Sequence, residues 1–263
     1  MTWDVLTVDQ LDADSLVALR EERLAAVRVA GFCDHEARER LTGLLARHSE
    51  RTNYRVRWAS RDQAGGGVLP GREFTETDSD RIGPVDTTPE GTADSTGVVA
   101  AMREIRSAAA PALAPIDRLR LELDEIAPRG AGLYRKDGRL SVAGVGRVMD
   151  TSGELVHADT GRRNCLTANV YLRMPRAGGG TRIWQYDGEY RQSRQSYLFG
   201  PGEIPQSMPS CLVEPAEGDL VVWNPALPHA VQPFDDPPRL TIQTWLLFED
   251  GADAGDFAIR LLN

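Results

Sequence analysis

This chain predicts a mainly β fold with flanking helices, its core a double-stranded β-helix, or jelly roll. Three observations carry that expectation: eight short apolar or alternating runs lie between residues 142 and 248, Gly, Pro and Asp turns separate them, and helix-spaced leucines come before them. Runs of that kind bounded by turn residues read as strands. Eight antiparallel strands in two sheets make a jelly roll.

Along residues 8–28, Leu11, Leu16, Leu19, Leu24 and Val27 stand among charges at the spacing of an amphipathic helix. Residues 26–32 then read as a short strand. Asp34 can cap a helix through His48 that presents Leu41, Leu44 and Leu45. Residues 98–110 and 116–126 read as helices interrupted by Pro111 and Pro115, with Leu119, Leu121, Leu123 and Ile126 as apolar faces. Residues 60–97 differ, with Gly65-Gly66-Gly67, Pro70-Gly71, many Asp, Thr and Ser, and almost no apolar periodicity. So long an irregular stretch within one domain is either disordered or functional. We expect a lid that orders when substrate binds, with Arg72 as the cation that meets a substrate carboxylate. Strands are expected at 142–149, 155–159, 166–174, 181–186, 210–213, 219–223, 229–233 and 239–248. Gly178-Gly179-Gly180 reads as a turn, and no internal repeat is present.

With 263 residues, 41% hydrophobic and 26% charged, the chain can bury the core of one domain. A single domain over 1–263 is therefore expected, with scaffold and lid in 1–130 and the jelly roll in 131–249. The formal net charge of −9 disfavours nucleic acid and anionic membranes as partners, because both select basic surfaces. A small-molecule substrate fits better. No run is apolar for long enough to span a bilayer, and Met1-Thr2-Trp3-Asp4-Val5 lacks a basic segment followed by an apolar one, so a cytoplasmic location is expected. Cys33, Cys165 and Cys211 are scattered and odd in number, without a Cys-x-x-Cys pair. They read as buried or free thiols and not as a disulfide framework or zinc site. The oligomeric state stays open.

The chemistry concentrates in His157-Ala158-Asp159, His229 and Arg239. In a strand, residues i and i+2 share a face, so His157 and Asp159 would face one interior. Two imidazoles and one carboxylate can occupy one face of an octahedral Fe(II) ion and leave three adjacent positions open. His229 begins a strand after the Gly218-Asp219 turn, the apolar run Leu220-Val221-Val222-Trp223 and a Pro-punctuated reversal. Arg239 opens the last strand, with Thr241, Gln243 and Trp245 on its face. The same three ligands could instead hold zinc, or be polar residues satisfied within a β-sandwich. His35 and His48 flank the predicted helix and are read as solvated or capping residues. Trp184 and Trp223 are read as core.

His157-x-Asp159, the distal His229, Arg239 ten residues later, the strand Gly218-x-Leu220-x-x-Trp223 and the step Arg239-x-Thr241 together resemble the 2-oxoglutarate and Fe(II)-dependent oxygenase superfamily, over roughly residues 130–249. The resemblance implies Fe(II) on His157, Asp159 and His229, with O2 and 2-oxoglutarate as co-substrates. It places Arg239 on the far carboxylate of 2-oxoglutarate, which suits a planar bidentate donor, with Thr241 as a second donor. Asn169 and Tyr171 fall where family members place donors to the other end of the keto acid, and Thr181 and Trp245 are further cofactor-binding candidates. Halogenases of the superfamily carry Gly or Ala in place of the motif's Asp, so the resemblance with Asp159 present argues against halogenation. The wider runs 115–123, 146–149 and 168–172 resemble the freestanding amino-acid hydroxylase and radical-halogenase group. They imply a free amino acid or small amino-acid-like metabolite, in natural-product biosynthesis. Desaturation or ring formation on the same iron site, and a non-catalytic, metal-binding cupin-like module, are the alternatives.

Overall fold

The first strand, β1 (Val5–Val8), pairs in parallel with β2 (Ala26–Val29), and α1 (Ala13–Arg20) connects them. The periodicity over 8–28 predicts one longer helix. The observed helix is shorter because Asp12 and Ser15 form a capping box, with the Ser15 N–H donating to Asp12 Oδ1 at 2.7 Å. Just past its end Glu22, at φ 60, turns the chain toward β2. Asp34 caps α2 (His35–Arg47) as expected, accepting from the Ala37 N–H at 2.9 Å. Two further helices, α3 (Ser95–Ala109) and α4 (Pro115–Ile126), flank the expected proline break, and Pro115 takes the first turn of α4, where its missing N–H costs nothing. Leu119 and Leu123 of α4 are fully buried, whereas Leu121, read as part of the apolar face, is 41% exposed.

This computed structural model describes residues 3–47, 52–54, 79–82, 95–136, 139–141, 143–149, 156–159, 164–186, 199, 203–234, 237–253 and 255–262. Its remaining strands are β3 (Thr52–Tyr54), β4 (Ser79–Ile82), β5 (Ala131–Leu133), β6 (Arg135–Lys136), β7 (Arg139–Leu140), β8 (Val145–Met149), β9 (Cys165–Arg173), β10 (Thr181–Trp184), β11 (Ser210–Val213), β12 (Leu220–Trp223), β13 (His229–Val231), β14 (Arg239–Asp250) and β15 (Phe257–Leu262). The large sheet runs β1-β2-β12-β9-β14-β8-β4-β3, with β15 against β14 and β5 against β15. A small sheet runs β11-β10-β13, and an antiparallel bridge from His157 to His229 continues it. The large sheet's β8, β14, β9 and β12, set against the small sheet with its His157 edge, form the jelly roll.

Seven of the eight expected strands are present, the one at 210–213 with the expected bounds and the others with shifted ends. The run at 155–159 reduces to the single bridge at His157, and residue 155 lies outside the described residues. The parallel pairs β1·β2 and β5·β15 add to the antiparallel arrangement. Strand β15 lies beyond the last turn signal, and β4, with the sequence Ser-Asp-Arg-Ile, is held by backbone pairing to β8 and carries no apolar alternation. The latter falls inside the expected lid. Apart from 79–82 and the start of α3, the segment 60–97, Arg72 included, lies outside the described residues. Among the described residues, no helix is long and apolar enough to cross a membrane.

Alternation along β9, β12 and β14 divides the interior in two. Leu166, Ala168, Val170, Leu172, Leu220, Val222, Leu240, Ile242 and Leu246 pack on one side with α1, α2 and α4. Tyr171, Val221 and Trp223 point the other way and meet Ile183, Val213, Leu227 and Ala158 inside the barrel. Cys33 and Cys165 are buried and unbridged, as read, and burial pushes the Cys33 thiol up to about 11.

Asp219 ties the scaffold to the barrel. Only 2% exposed, it accepts from Arg28 Nε at 2.6 Å, the Ala216 N–H at 2.7 Å and the Gly31 N–H at 2.9 Å. Replacing it by Ala leaves two backbone amides, in part-buried hydrogen bonds, and the Arg28 guanidinium without their acceptor. We expect Asp219→Ala to lower the unfolding free energy by about 3 kcal/mol, read from urea melts. A loss under about 1 kcal/mol would show that strand pairing and apolar packing hold β2 without help from Asp219.

Candidate active site

Three donor groups meet where the small sheet ends. His157 and His229 form a reciprocal backbone pair, N to O distances being 2.9 and 2.8 Å, which sets their side chains next to each other with ring centroids 4.4 Å apart. The Asp159 N–H donates to the Pro225 carbonyl at 2.9 Å, turning its carboxylate toward both rings. Its oxygens lie 3.3 Å from His157 Nε2 and 3.5 Å from His229 Nε2, and one donor atom from each residue falls within 4.8 Å of the others. Cis ligands on bonds of about 2.1 Å are about 3 Å apart, so small side-chain adjustments close this set around one ion.

The chemistry of the donors also suits a metal. His229 Nδ1 is 2.9 Å from the Leu227 carbonyl, an acceptor, so Nδ1 carries a proton and Nε2 is the ring nitrogen turned toward Asp159. Trp223 stands edge-on at 6.0 Å between centroids and, as read, is core. Burial opposes ionisation of Asp159, but the His229 and His157 imidazoles outweigh it and hold the carboxyl well below the usual carboxylate range. It is thus an anion at neutral pH. Side-chain exposures of 29% for His157 and 26% for Asp159, against 5% for His229, leave the cluster open to solvent on one side.

Arg239 is 6% exposed, and its position in β14 aims it into the barrel. Its Nη2 donates to the Tyr171 hydroxyl at 3.1 Å, its guanidinium carbon lies 5.0 Å from that ring's centroid, and buried Nη1 has no hydrogen-bond partner among the described residues. An unfilled donor on a buried cation calls for an acidic ligand. Thr241, 4% exposed, lies opposite Tyr171 in the register of β14 against β9. Thr181 is 1% exposed with a hydroxyl that has no partner among the described residues. Both fit further donors.

The remaining candidates separate. Tyr171 belongs with Arg239, and Asn169 directs its amide to Thr167 Oγ1 at 3.3 Å. Trp245 and Trp184 are half-buried, the latter less enclosed than a core residue. A polar row escaped the sequence reading: Arg147 Nη1 donates to Gln243 Oε1 at 2.7 Å and Gln243 Nε2 to Thr167 Oγ1 at 3.1 Å, joining β8, β14 and β9. The signal was present, because Thr167, Asn169 and Tyr171 alternate along one strand. The turn Asn224–Pro228, which supplies both backbone acceptors of the site, was read only as a reversal.

A jelly roll with a two-His, one-carboxylate cluster at its end and a buried arginine inside defines a metal-dependent oxygenase architecture. Over residues 144–247 the chain matches the 2OG-Fe(II) oxygenase superfamily. It is accordingly a 2-oxoglutarate-dependent dioxygenase whose metal is Fe(II), as the cluster's donor set fits. Comparison with curated proteins gives no match. Among solved structures, the fold is similar to a novel N-substituted L-amino acid dioxygenase from Burkholderia ambifaria AMMD, at 15% identity and a TM-score of 0.55, covering 95% of this chain and 91% of that one. A Pseudomonas putida prolyl-4-hydroxylase is similar at 17% identity and a TM-score of 0.45, covering 89% and 95%. The non-heme alpha-ketoglutarate-dependent epimerase SnoN from nogalamycin biosynthesis gives 17%, 0.48, 94% and 99%.

If the three donors hold one ion, His157→Ala, Asp159→Ala and His229→Ala should each weaken Fe(II) binding by more than about 100-fold, beyond the 10–100-fold that outer-shell changes cost. Anaerobic calorimetry checks this. Two variants with unchanged affinity would move the metal elsewhere.

Proposed function

We propose that the protein hydroxylates an unactivated C–H bond of a free amino acid or small amino-acid-like metabolite, with Fe(II) held by His157, Asp159 and His229. The observation that carries this reading is the pairing of that cluster with Arg239, a buried cation whose Nη1 is left without a partner among the described residues. When bound, iron with 2-oxoglutarate and O2 supplies the oxidant, and the balance is R–H, 2-oxoglutarate and O2 to R–OH, succinate and CO2.

The chain's own part is binding, orientation and exclusion of water. Arg239 offers Nη1 and Nη2 to the distal carboxylate of 2-oxoglutarate, with the Tyr171 hydroxyl keeping its plane fixed. Thr241 and Thr181 supply neutral donors within the same barrel. Val221, Ile183 and Leu227 keep that end dry, so the ion pair between arginine and carboxylate forms at low dielectric. The row Arg147, Gln243, Thr167 and Asn169 gives the inner wall polar groups that suit a substrate carrying its own charges. A small polar substrate is further supported by the fold neighbour that is an N-substituted L-amino acid dioxygenase. Asp159 fills the carboxylate position and so favours hydroxylation over halogenation.

The test is anaerobic reconstitution with Fe(II) and 2-oxoglutarate, then O2, followed by mass spectrometry across amino acids and N-substituted amino acids. A product heavier by one oxygen, formed with stoichiometric succinate, is expected. Succinate without any oxidised amino acid would assign another substrate class. Within this reaction Arg239→Leu should raise the 2-oxoglutarate half-saturation by tens to thousands of fold, corresponding to about 2–5 kcal/mol. Tyr171→Phe should raise it about 10-fold, since one hydrogen bond to a charged group is lost and about 1.5 kcal/mol with it. An unchanged half-saturation in Arg239→Leu would assign the keto acid to a different cation.

A further inference from the structure

The turn between β12 and β13 serves both halves of the metal cluster. Its Pro225 carbonyl accepts the Asp159 N–H at 2.9 Å, and its Leu227 carbonyl meets His229 Nδ1 at 2.9 Å. The aim of these two carbonyls depends on how the five residues Asn224–Pro228 close. Two of the five are prolines, which have no N–H to contribute. Closure centres on Asn224, whose Oδ1 accepts from the Ala226 N–H at 3.0 Å and whose backbone carbonyl accepts from the Leu227 N–H at 3.1 Å. This is the turn that an asparagine side chain makes with its own backbone two residues on.

Asn224 is 0% exposed, so water does not replace its side chain there. Its Nδ2 has no hydrogen-bond partner among the described residues. For packing alone an asparagine is a destabilising choice at such a place, because a buried amide donor is left unsatisfied. What it provides in return is the Oδ1 acceptor.

We propose that Asn224 is a positioning residue for the metal site. By closing the turn onto Ala226 it aims the Pro225 and Leu227 carbonyls, and through them it sets the placement of Asp159 and the ring orientation and proton position of His229. The proposal rests on the reading of His157, Asp159 and His229 as the ligands. It concerns the oxygen of the side chain, so a residue that retains a short acceptor should serve and one without it should not.

The test uses Co(II), an O2-tolerant probe with a visible spectrum sensitive to ligand geometry, on the full chain with Asn224→Ala and Asn224→Ser. Asn224→Ala should bind Co(II) about 10–100-fold more weakly, the cost typical of a lost supporting partner, and should show an altered visible spectrum. Its metal-free melting temperature should stay within about 3 °C of wild type, an amount a change of about 1 kcal/mol produces in a chain of this length. Asn224→Ser, whose hydroxyl forms the same turn more weakly, should return the wild-type spectrum and an affinity within about 5-fold. Wild-type Co(II) affinity and spectrum in Asn224→Ala would overturn the proposal, as would equal impairment in the Ser variant. If Asn224→Ala lacks a cooperative melt, the Ser variant decides: folded with the wild-type spectrum supports the role, and folded with an altered one overturns it. His157→Ala separates the two readings, since wild-type Co(II) binding there would remove the ligand assignment itself, whereas loss there with normal binding in Asn224→Ala removes only the role of Asn224.

Discussion

The backbone pair between His157 and His229 is the constraint on which the site depends. Those two hydrogen bonds join segments far apart in sequence, and a slip of one residue in either would send its imidazole to the opposite face. The pair is also the place where the run around residue 157 enters the small sheet. Fold and metal geometry therefore share the same bonds. Asp159 is then brought in through the Pro225 carbonyl, so the carboxylate follows from the turn that delivers His229.

The alternation of the large sheet has the second share. One face of β9, β12 and β14 is apolar apart from Thr244 and packs with the helices, which leaves the other free to carry chemistry. That inner face holds Arg239 and Tyr171 toward one end of β14 and Gln243, Thr167 and Asn169 further along. Two kinds of environment result: a buried cation in an apolar surround, suited to a dicarboxylate, and a hydrogen-bonded polar row. The same barrel can thus hold a keto acid and a polar substrate without mixing their contacts.

Much of this was legible in the sequence because it depends on short-range periodicity. The strands β8 to β14 announced themselves through apolar alternation and turn residues, and the structure brings His157, Asp159 and His229 into one cluster while Arg239 stands inside the barrel beside Tyr171. Other features were not legible, for identifiable reasons. Strand β4 is polar and made by pairing alone, so no side-chain pattern marks it. The run at 8–28 has helical spacing throughout, but capping by Asp12 and the positive φ of Glu22 divide it into helix and strand. Tyr171 was read as a donor to the keto end of the co-substrate, yet the register of β9 against β14 sets it beside Arg239. Asn224 was hidden because its contribution is a turn two residues long, which looks like any other reversal until the two carbonyls it directs are seen at Asp159 and His229.

The most direct measurement is a crystal structure grown anaerobically with Fe(II) and 2-oxoglutarate. The account predicts one iron bonded to His157 Nε2, His229 Nε2 and a single Asp159 oxygen, with the keto acid's distal carboxylate paired to Arg239 Nη1 and Nη2 and the Tyr171 hydroxyl still on the guanidinium. Iron bound by any other set of side chains, or a distal carboxylate seated away from Arg239, would contradict it.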